Sequence, residues 1–213
     1  FTADSFEQVT AADPTQIIAV NQAVDARTKG SLEEIAPTTV KPNGYEDWQV
    51  PWEKQVETIA DAVGKKDEGD KLIDDTEKAF EEFRHEHAEL QDKSAAIVMP
   101  YDGKIGLYTE EDGRGQFIED LGMEIPDALQ GDGGSFFVDI APENYAKLNQ
   151  VDYLFVLDYN GSSEALKKDK TFQGLDIVKD GRVRYLDTDT GNAMSMPNPV
   201  TIPWAVDKFE EKL

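Results

Sequence analysis

Cysteine is absent from all 213 residues, which removes disulfides, thiolate metal ligation, iron–sulfur clusters and a thiol nucleophile together, and leaves the redox compartment open. Histidine is scarce, with only His85 and His87, and arginine stops at five: Arg27, Arg84, Arg114, Arg182 and Arg184. Positive charge is short altogether. The chain sets 21 Lys plus Arg against 44 Asp plus Glu, a formal net charge of -23, and such a field repels nucleic-acid backbones and anionic membrane surfaces. No apolar run approaches the roughly 18 residues of a membrane span. Phe1 opens on Thr2, Ala3 and Asp4 with no basic leader region, so the expectation here is a processed or trimmed chain. What the chain does hold is material for a core: 39% hydrophobic residues, with ten Phe, seven Tyr and three Trp. The acidity is laid over a folded body.

Organisation follows from periodicity and punctuation. Residues 4–12 predict a short helix with Asp4 or Ser5 as N-cap and Pro14 beyond its end. QIIAV at 16–20 predicts a buried strand, residues 31–35 a second short helix, and residues 38–50, with Pro42, Asn43 and Gly44 inside and Pro51 just after, a loop. From Trp52, apolar residues recur at spacings of three and four through Val63, meet Gly64 as a C-cap or break, and resume from Leu72 toward Leu90. This predicts a pair of helices or one long, interrupted helix. Beyond it come strands at 95–99, 104–109, 153–158 and 181–187, helices at 115–121, 142–148 and 162–167, a Gly-rich break at 131–134, and a closing helix with Pro203 near its first turn. Strands separated by short helices predict an open α/β unit over residues 92–213, with right-handed crossovers. The first forty residues hold one predicted strand and two helices, too few to close a parallel sheet by themselves.

Motifs that would announce catalysis are missing. There is no Walker A sequence, no GxSxG and no GxGxxG after a strand, and the glycines at 113–115 and 131–134 lack the strand-to-helix context of a phosphate cradle. His85 and His87 stand at i and i+2, which point to different helix faces, so they predict a solvated face and no metal site. Asp187, Asp189 and Gly191 make a loose calcium reading against a plain acidic turn, and nothing fits an EF-hand. With 44 acids some carboxylates must lie close together, so a carboxylate-dependent hydrolase stays open as an alternative. The distinctive pattern is aromatic and arginine residues at strand ends and loops: Trp48 in a Pro/Gly-rich segment, Tyr101 and Tyr108 around a turn, Arg114 at a helix entrance, Tyr159 after the strongest strand, and Arg27 after the first strand. In an open α/β sheet, ligands bind at the carboxyl ends of the strands, where these residues are expected to line one cleft. Core packing or rim cover is the alternative for each aromatic. Arginine can supply bidentate hydrogen bonds to an anion that the global field would otherwise repel.

The order of the pieces resembles the iron-siderophore and cobalamin class of periplasmic-binding-protein-like solute-binding proteins that serve ABC importers. The resemblance rests on FEQVTAADPTQIIAV, SLEEIAPTTV, WQVPWEKQVETIADAVGKKDEGDKLI, GRGQFIEDLGMEIPD, IAPENYAKL followed by VDYLFVLD, and VKDGRVRYLD, six segments in family order. It implies an α/β fold of two lobes, each a parallel-sheet sandwich, joined by a long helix, with the first lobe incomplete. Residues 1–50 would be the remnant of the N-terminal lobe, 51–91 the bridging helix region and 92–213 the C-terminal lobe. It further implies a binding protein that is not an enzyme and needs no cofactor, acting as a monomer. Its ligand would be a ferric siderophore, with heme or cobalamin as the alternative, delivered to an ABC transporter permease. Location would be extracytoplasmic, periplasmic or lipid-anchored after signal cleavage. Trp48, Tyr101, Tyr108, Arg114, Tyr159 and Arg27 become its ligand-binding candidates, and Glu53 and Glu124 its permease-docking acids.

Overall fold

The computed structural model describes residues 3–131 and 134–213, so Asp132 and Gly133 of the Gly-rich break lie outside the described residues. The chain divides into two compact units, one running to Ile73 and one spanning Asp74–Leu213.

In the first unit, helix α1 (Ala3–Ala11) precedes strand β1 (Ile17–Ala19), helix α2 (Ala26–Glu33) and strand β2 (Thr38–Val40). Asp4 and Ser5 fall within α1, not before it. β1 and β2 pair in parallel, with Ile17 opposite Thr38, so α2 is the crossover of a βαβ unit. Its start is fixed by Asp25, whose carboxylate accepts the Thr28 N–H at 2.7 Å. Three expectations are corrected here. Thr38–Val40 is strand, not loop; α2 begins at Ala26, not near 31; and β1 is not fully buried, because Ile18 is 40% exposed. Helix α3 (Trp52–Ala62) buries the Trp52 ring. The loop before α3 is tied back by the Val50 N–H donating to Asn21 Oδ1 at 3.2 Å. At Gly64 the backbone turns left-handed (φ +69) and α3 stops, as a C-cap glycine permits. Helix α4 (Lys66–Glu86) follows, so the 52–90 pattern is a pair of helices, and the division between the units falls inside the second.

The second unit is built on a five-stranded sheet in the order β5-β4-β3-β6-β7. Its strands are β3 (Ala95–Tyr101), β4 (Lys104–Tyr108), β5 (Phe137–Ile140), β6 (Tyr153–Asp158) and β7 (Val183–Asp187). β3, β6 and β7 run parallel, as an open α/β unit requires, while β4 runs antiparallel between β3 and β5. The sheet is therefore mixed where wholly parallel sheets were expected. The cause is local: Asp102 and Gly103 both take positive φ, +46 and +76, in a two-residue turn that folds β4 straight back on β3.

One face of the sheet carries Ala96, Val98, Ile105, Leu107, Leu154 and Val156. It packs against a 3-10 segment (Pro142–Gln150), where an α-helix was expected, and against helices α6 (Ser163–Lys168), α7 (Lys170–Gln173) and α8 (Asp176–Lys179). The other face takes helices α5 (Gly113–Asp120), α9 (Thr188–Ser195) and α10 (Thr201–Glu210). There Phe209 lies 4.5 Å from Phe155 and 6.1 Å from both Phe117 and Phe83, so one ring joins strand and helices. The calcium reading of Asp187–Gly191 fails on geometry: Asp187 is the N-cap of α9 and its carboxylate accepts both the N–H and the hydroxyl of Thr190 at 2.9 Å.

Candidate functional site

The parallel strands of the second unit deliver their carboxyl ends to one edge, and the chemistry runs from that edge back along the sheet to the level of Ile97. Tyr101 ends β3, Tyr159 follows β6, and Tyr108 ends β4 on the same sheet face as Tyr101, by the two-residue alternation of the pleat. α5 enters with Asp112 as N-cap: its carboxylate accepts the Arg114 N–H at 2.9 Å, which presents the Arg114 side chain back toward the sheet. α5 comes this near because residue 115 is glycine. A Cβ there would lie 1.9 Å from the Thr109 carbonyl oxygen.

The result is a continuous strip. The Tyr101 and Phe137 rings lie 5.5 Å apart, and Phe137 meets Tyr108 edge-on at 5.2 Å. The Arg114 guanidinium lies 4.1 Å from the Tyr108 ring centre, and Arg114 Nη2 reaches the Tyr159 hydroxyl at 3.5 Å. At the hairpin end Lys104 stands 4.8 Å from the Tyr101 ring centre, and Asp139 accepts from both Lys104 and the Tyr101 hydroxyl. Tyr101 also borders a hollow of about 270 Å³ with Tyr145 and Leu166 on the sheet's other face.

Electrostatics set the state of these groups. Burial first, helped by the neighbouring Tyr159 and Asp112 and opposed by Arg114, pushes the Tyr108 hydroxyl up to about 12, so it stays a neutral donor. It points at Met99 Sδ, 3.6 Å away. Burial also pushes the Asp112 carboxyl up, against the pull of Arg114. For Arg114 burial acts downward, and Asp112, Tyr108 and Tyr159 outweigh it. Geometry decides this pair: Arg114 Nη1 contacts the two Asp112 oxygens at 2.9 and 3.1 Å, which makes it an ion pair at neutral pH. Arg114 Nε is buried with no hydrogen-bond partner among the described residues.

Four of the expected ligand residues, Tyr101, Tyr108, Arg114 and Tyr159, thus meet in one strip. The other two belong to the first unit. Trp48 is 39% exposed with φ +70, and Arg27 is exposed in the first turn of α2 beside Asp25. Glu53 lies half-buried in the first turn of α3, and Glu124 is exposed just after α5, its backbone bridged to Ser94. Sequence reasoning missed Phe137, the middle ring of the strip. Its signal was the apolar Phe136, Phe137 and Val138, one residue after the Gly-rich break. It also missed Asp112, signalled by Asp-Gly just before a helix. His85 and His87 were expected on one helix, on different faces, but α4 ends at Glu86. His87 lies beyond it, 4.6 Å from the Phe83 ring, and reaches Glu210 at 2.9 Å and Glu89 at 3.4 Å. Among the described residues no group of three His, Asp or Glu is arranged to hold a metal ion.

Comparison with known proteins points one way. Residues 2–190 match the family model described as periplasmic binding protein. The iron(3+)-hydroxamate-binding protein YxeB of Bacillus subtilis is 27% identical over 98% of this chain, and the chain spans 65% of that relative's length. Among solved structures, the iron uptake ABC transporter substrate-binding protein PiaA of Streptococcus pneumoniae superposes with a TM-score of 0.82 at 26% identity, covering 97% of this chain and 72% of that one. PiaA has also been solved in complex with ferrichrome, at the same score and identity. The FhuD protein of S. pseudintermedius shares the fold, with a TM-score of 0.80 at 23% identity over 99% of this chain and 74% of that one.

Proposed function

Because the chain belongs to the periplasmic binding protein family, we propose that it captures a ferric siderophore of the hydroxamate type outside the cytoplasm and hands it to the permease of an ABC importer. Its chemistry is binding, not catalysis. The observation that carries the reading is the strip itself: three tyrosines, one phenylalanine and one guanidinium meet in one run of contacts that starts at the carboxyl ends of β3 and β6, with Tyr101 and Tyr159, and reaches back to Tyr108 and Phe137 level with Ile97. Aromatic walls suit a bulky chelate, and a guanidinium suits its oxygens. YxeB is named for ferric hydroxamates and PiaA has been solved with ferrichrome, which supports the ligand class. Trp48 and Arg27 are proposed as further contacts, and Glu53 and Glu124 as acids that dock on the permease.

Titration with ferrichrome, a ferric tris-catecholate, heme and cobalamin tests the proposal, followed by quenching of the three tryptophans. Saturable quenching by ferrichrome, weakened at least tenfold in Tyr108→Ala, is expected. Saturation by heme or cobalamin alone moves the protein to the alternative ligand class, and no saturation by any of the four refutes a binding role for this chain.

A further inference from the structure

The strip carries two cations and two carboxylates, matched one to one. Lys104 lies over Tyr101 and pairs with Asp139; Arg114 lies over Tyr108 and pairs with Asp112. A cation on the face of an aromatic ring is ordinarily an invitation to an anionic guest. A carboxylate about 3 Å from that cation cancels its field within a few ångströms, leaving a dipole where there was a charge. The two pairs differ in burial. The side chains of Arg114 and Asp112 are 15% and 10% exposed, against 34% and 46% for Lys104 and Asp139, so solvent screens the first pair far less. Around this balanced strip the chain carries a net charge of -23.

Pairing leaves Arg114 some capacity of another kind. Its Nε is buried away from any guest, but Nη2 holds the Tyr159 hydroxyl only at 3.5 Å. The guanidinium can still donate to a guest oxygen, but it no longer supplies net charge. Ferric chelates divide on this point. Three singly negative hydroxamates neutralise Fe³⁺, whereas three doubly negative catecholates leave a triply anionic complex.

We propose that Asp112 is a specificity-determining residue: by neutralising Arg114 within the aromatic strip, it makes the site accept ferric chelates without net charge and reject anionic ones. Asp139 does the same for Lys104 at the more exposed hairpin end, with a smaller effect. The inference rests on the reading of the strip as the ligand site.

The test is the ratio of affinities for ferrichrome and for a hexadentate ferric tris-catecholate, measured by fluorescence quenching at low and at moderate salt. Asp112→Asn keeps a cap acceptor for the Arg114 N–H and removes the charge. It is expected to move the ratio toward the catecholate by about tenfold at low salt, equivalent to about 1.4 kcal/mol, with the gain shrinking as salt rises. Asp139→Asn, away from any helix cap, should move it the same way by about threefold. It supplies the answer if Asp112→Asn fails to fold by circular dichroism. A purely structural role for the carboxylates weakens both probes in proportion and leaves the ratio and its salt dependence where they were, and that result overturns the proposal. Wild-type protein that binds neither probe sinks the siderophore reading itself, whereas wild-type binding of ferrichrome with an unmoved ratio sinks only the role of Asp112.

Discussion

Replacing Gly106 by alanine puts the geometry of the strip under direct test. Gly106 is buried in β4 directly opposite Asp139 of β5, and the neighbouring Phe137 ring lies across it. A Cβ on residue 106 would stand 1.8, 2.2 and 2.8 Å from Cζ, Cε2 and Cε1 of that ring. Carbon atoms rest at about 3.5–4.0 Å, so the ring must retreat by about 2 Å. The obstacle is the far end of a side chain on an edge strand, so the ring yields before the backbone does. Overpacking of this sort costs about 1–3 kcal/mol, and two aromatic contacts, to Tyr101 and Tyr108, weaken at about 0.5–1.5 kcal/mol each. Relief of glycine's backbone entropy in a strand returns about 0.5–1 kcal/mol. The balance is a destabilisation of about 3 kcal/mol, or a urea midpoint lower by roughly 1.5 M for a slope near 2 kcal/mol/M. Equilibrium urea unfolding measures it, and Phe137→Ala in the same background measures the coupling, because removing the ring should abolish most of the cost of the methyl. Ferrichrome affinity should fall together with stability in the single variant. An unchanged midpoint, or strictly additive effects of the two substitutions, would refute the packing described here.

Three further outcomes follow from other contacts. Arg114→Leu strands the Asp112 carboxylate in a buried setting and should cost about 3 kcal/mol, most of it recovered in Arg114→Leu/Asp112→Asn, as a thermal-melt double-mutant cycle reads out. Burial, with Glu110 and then Glu124 as neighbours, pushes Glu119 up to about 7. The folded protein therefore binds the extra proton between the ordinary carboxylate range and about 7, and stability falls as pH rises through that window. Glu119 is exposed enough that the loss is only roughly 1 kcal/mol, and Glu119→Gln should flatten the difference between urea midpoints at pH 5 and pH 8. Asp187→Ala removes the cap of α9 and should cost about 1–2 kcal/mol, while added calcium leaves the wild-type melting temperature unmoved; a calcium-dependent rise would restore the cation reading of that turn.

The elements legible in the sequence are those whose signal is local and repeated. α3 and α4 declare themselves by apolar residues at three and four, and β3 and β6 by unbroken apolar runs buried on both faces. β2 and β5, three and four residues long, hold at most two repeats of a strand's two-residue alternation, and their pairing partners lie far along the chain. The short helices α7 and α9 carry their message in a single capping aspartate, Asp169 and Asp187, which reads as one more acid among 44. The same limit governs the candidate site. Tyr108 and Arg114 could be placed at a strand end and a helix entrance because those positions are written locally. The ion pair that changes what Arg114 can do depends on Asp112 turning back from a cap, and the ring between the tyrosines comes from a strand that only the folded sheet reveals.

Phe137, the middle ring of the strip, rides on β5, which among the described residues is paired with another strand along one side only. An outermost strand is the part of a sheet that opens first and most often, since fewer bonds must break together to release it. The amide protons of Phe137–Ile140 should then trade with deuterium sooner than those of β3 and β6 in the empty protein. A guest seated against the Phe137 ring ties that strand down from its side-chain face, so loading would register as slowed exchange at the margin of the sheet while its centre, already protected, hardly responds.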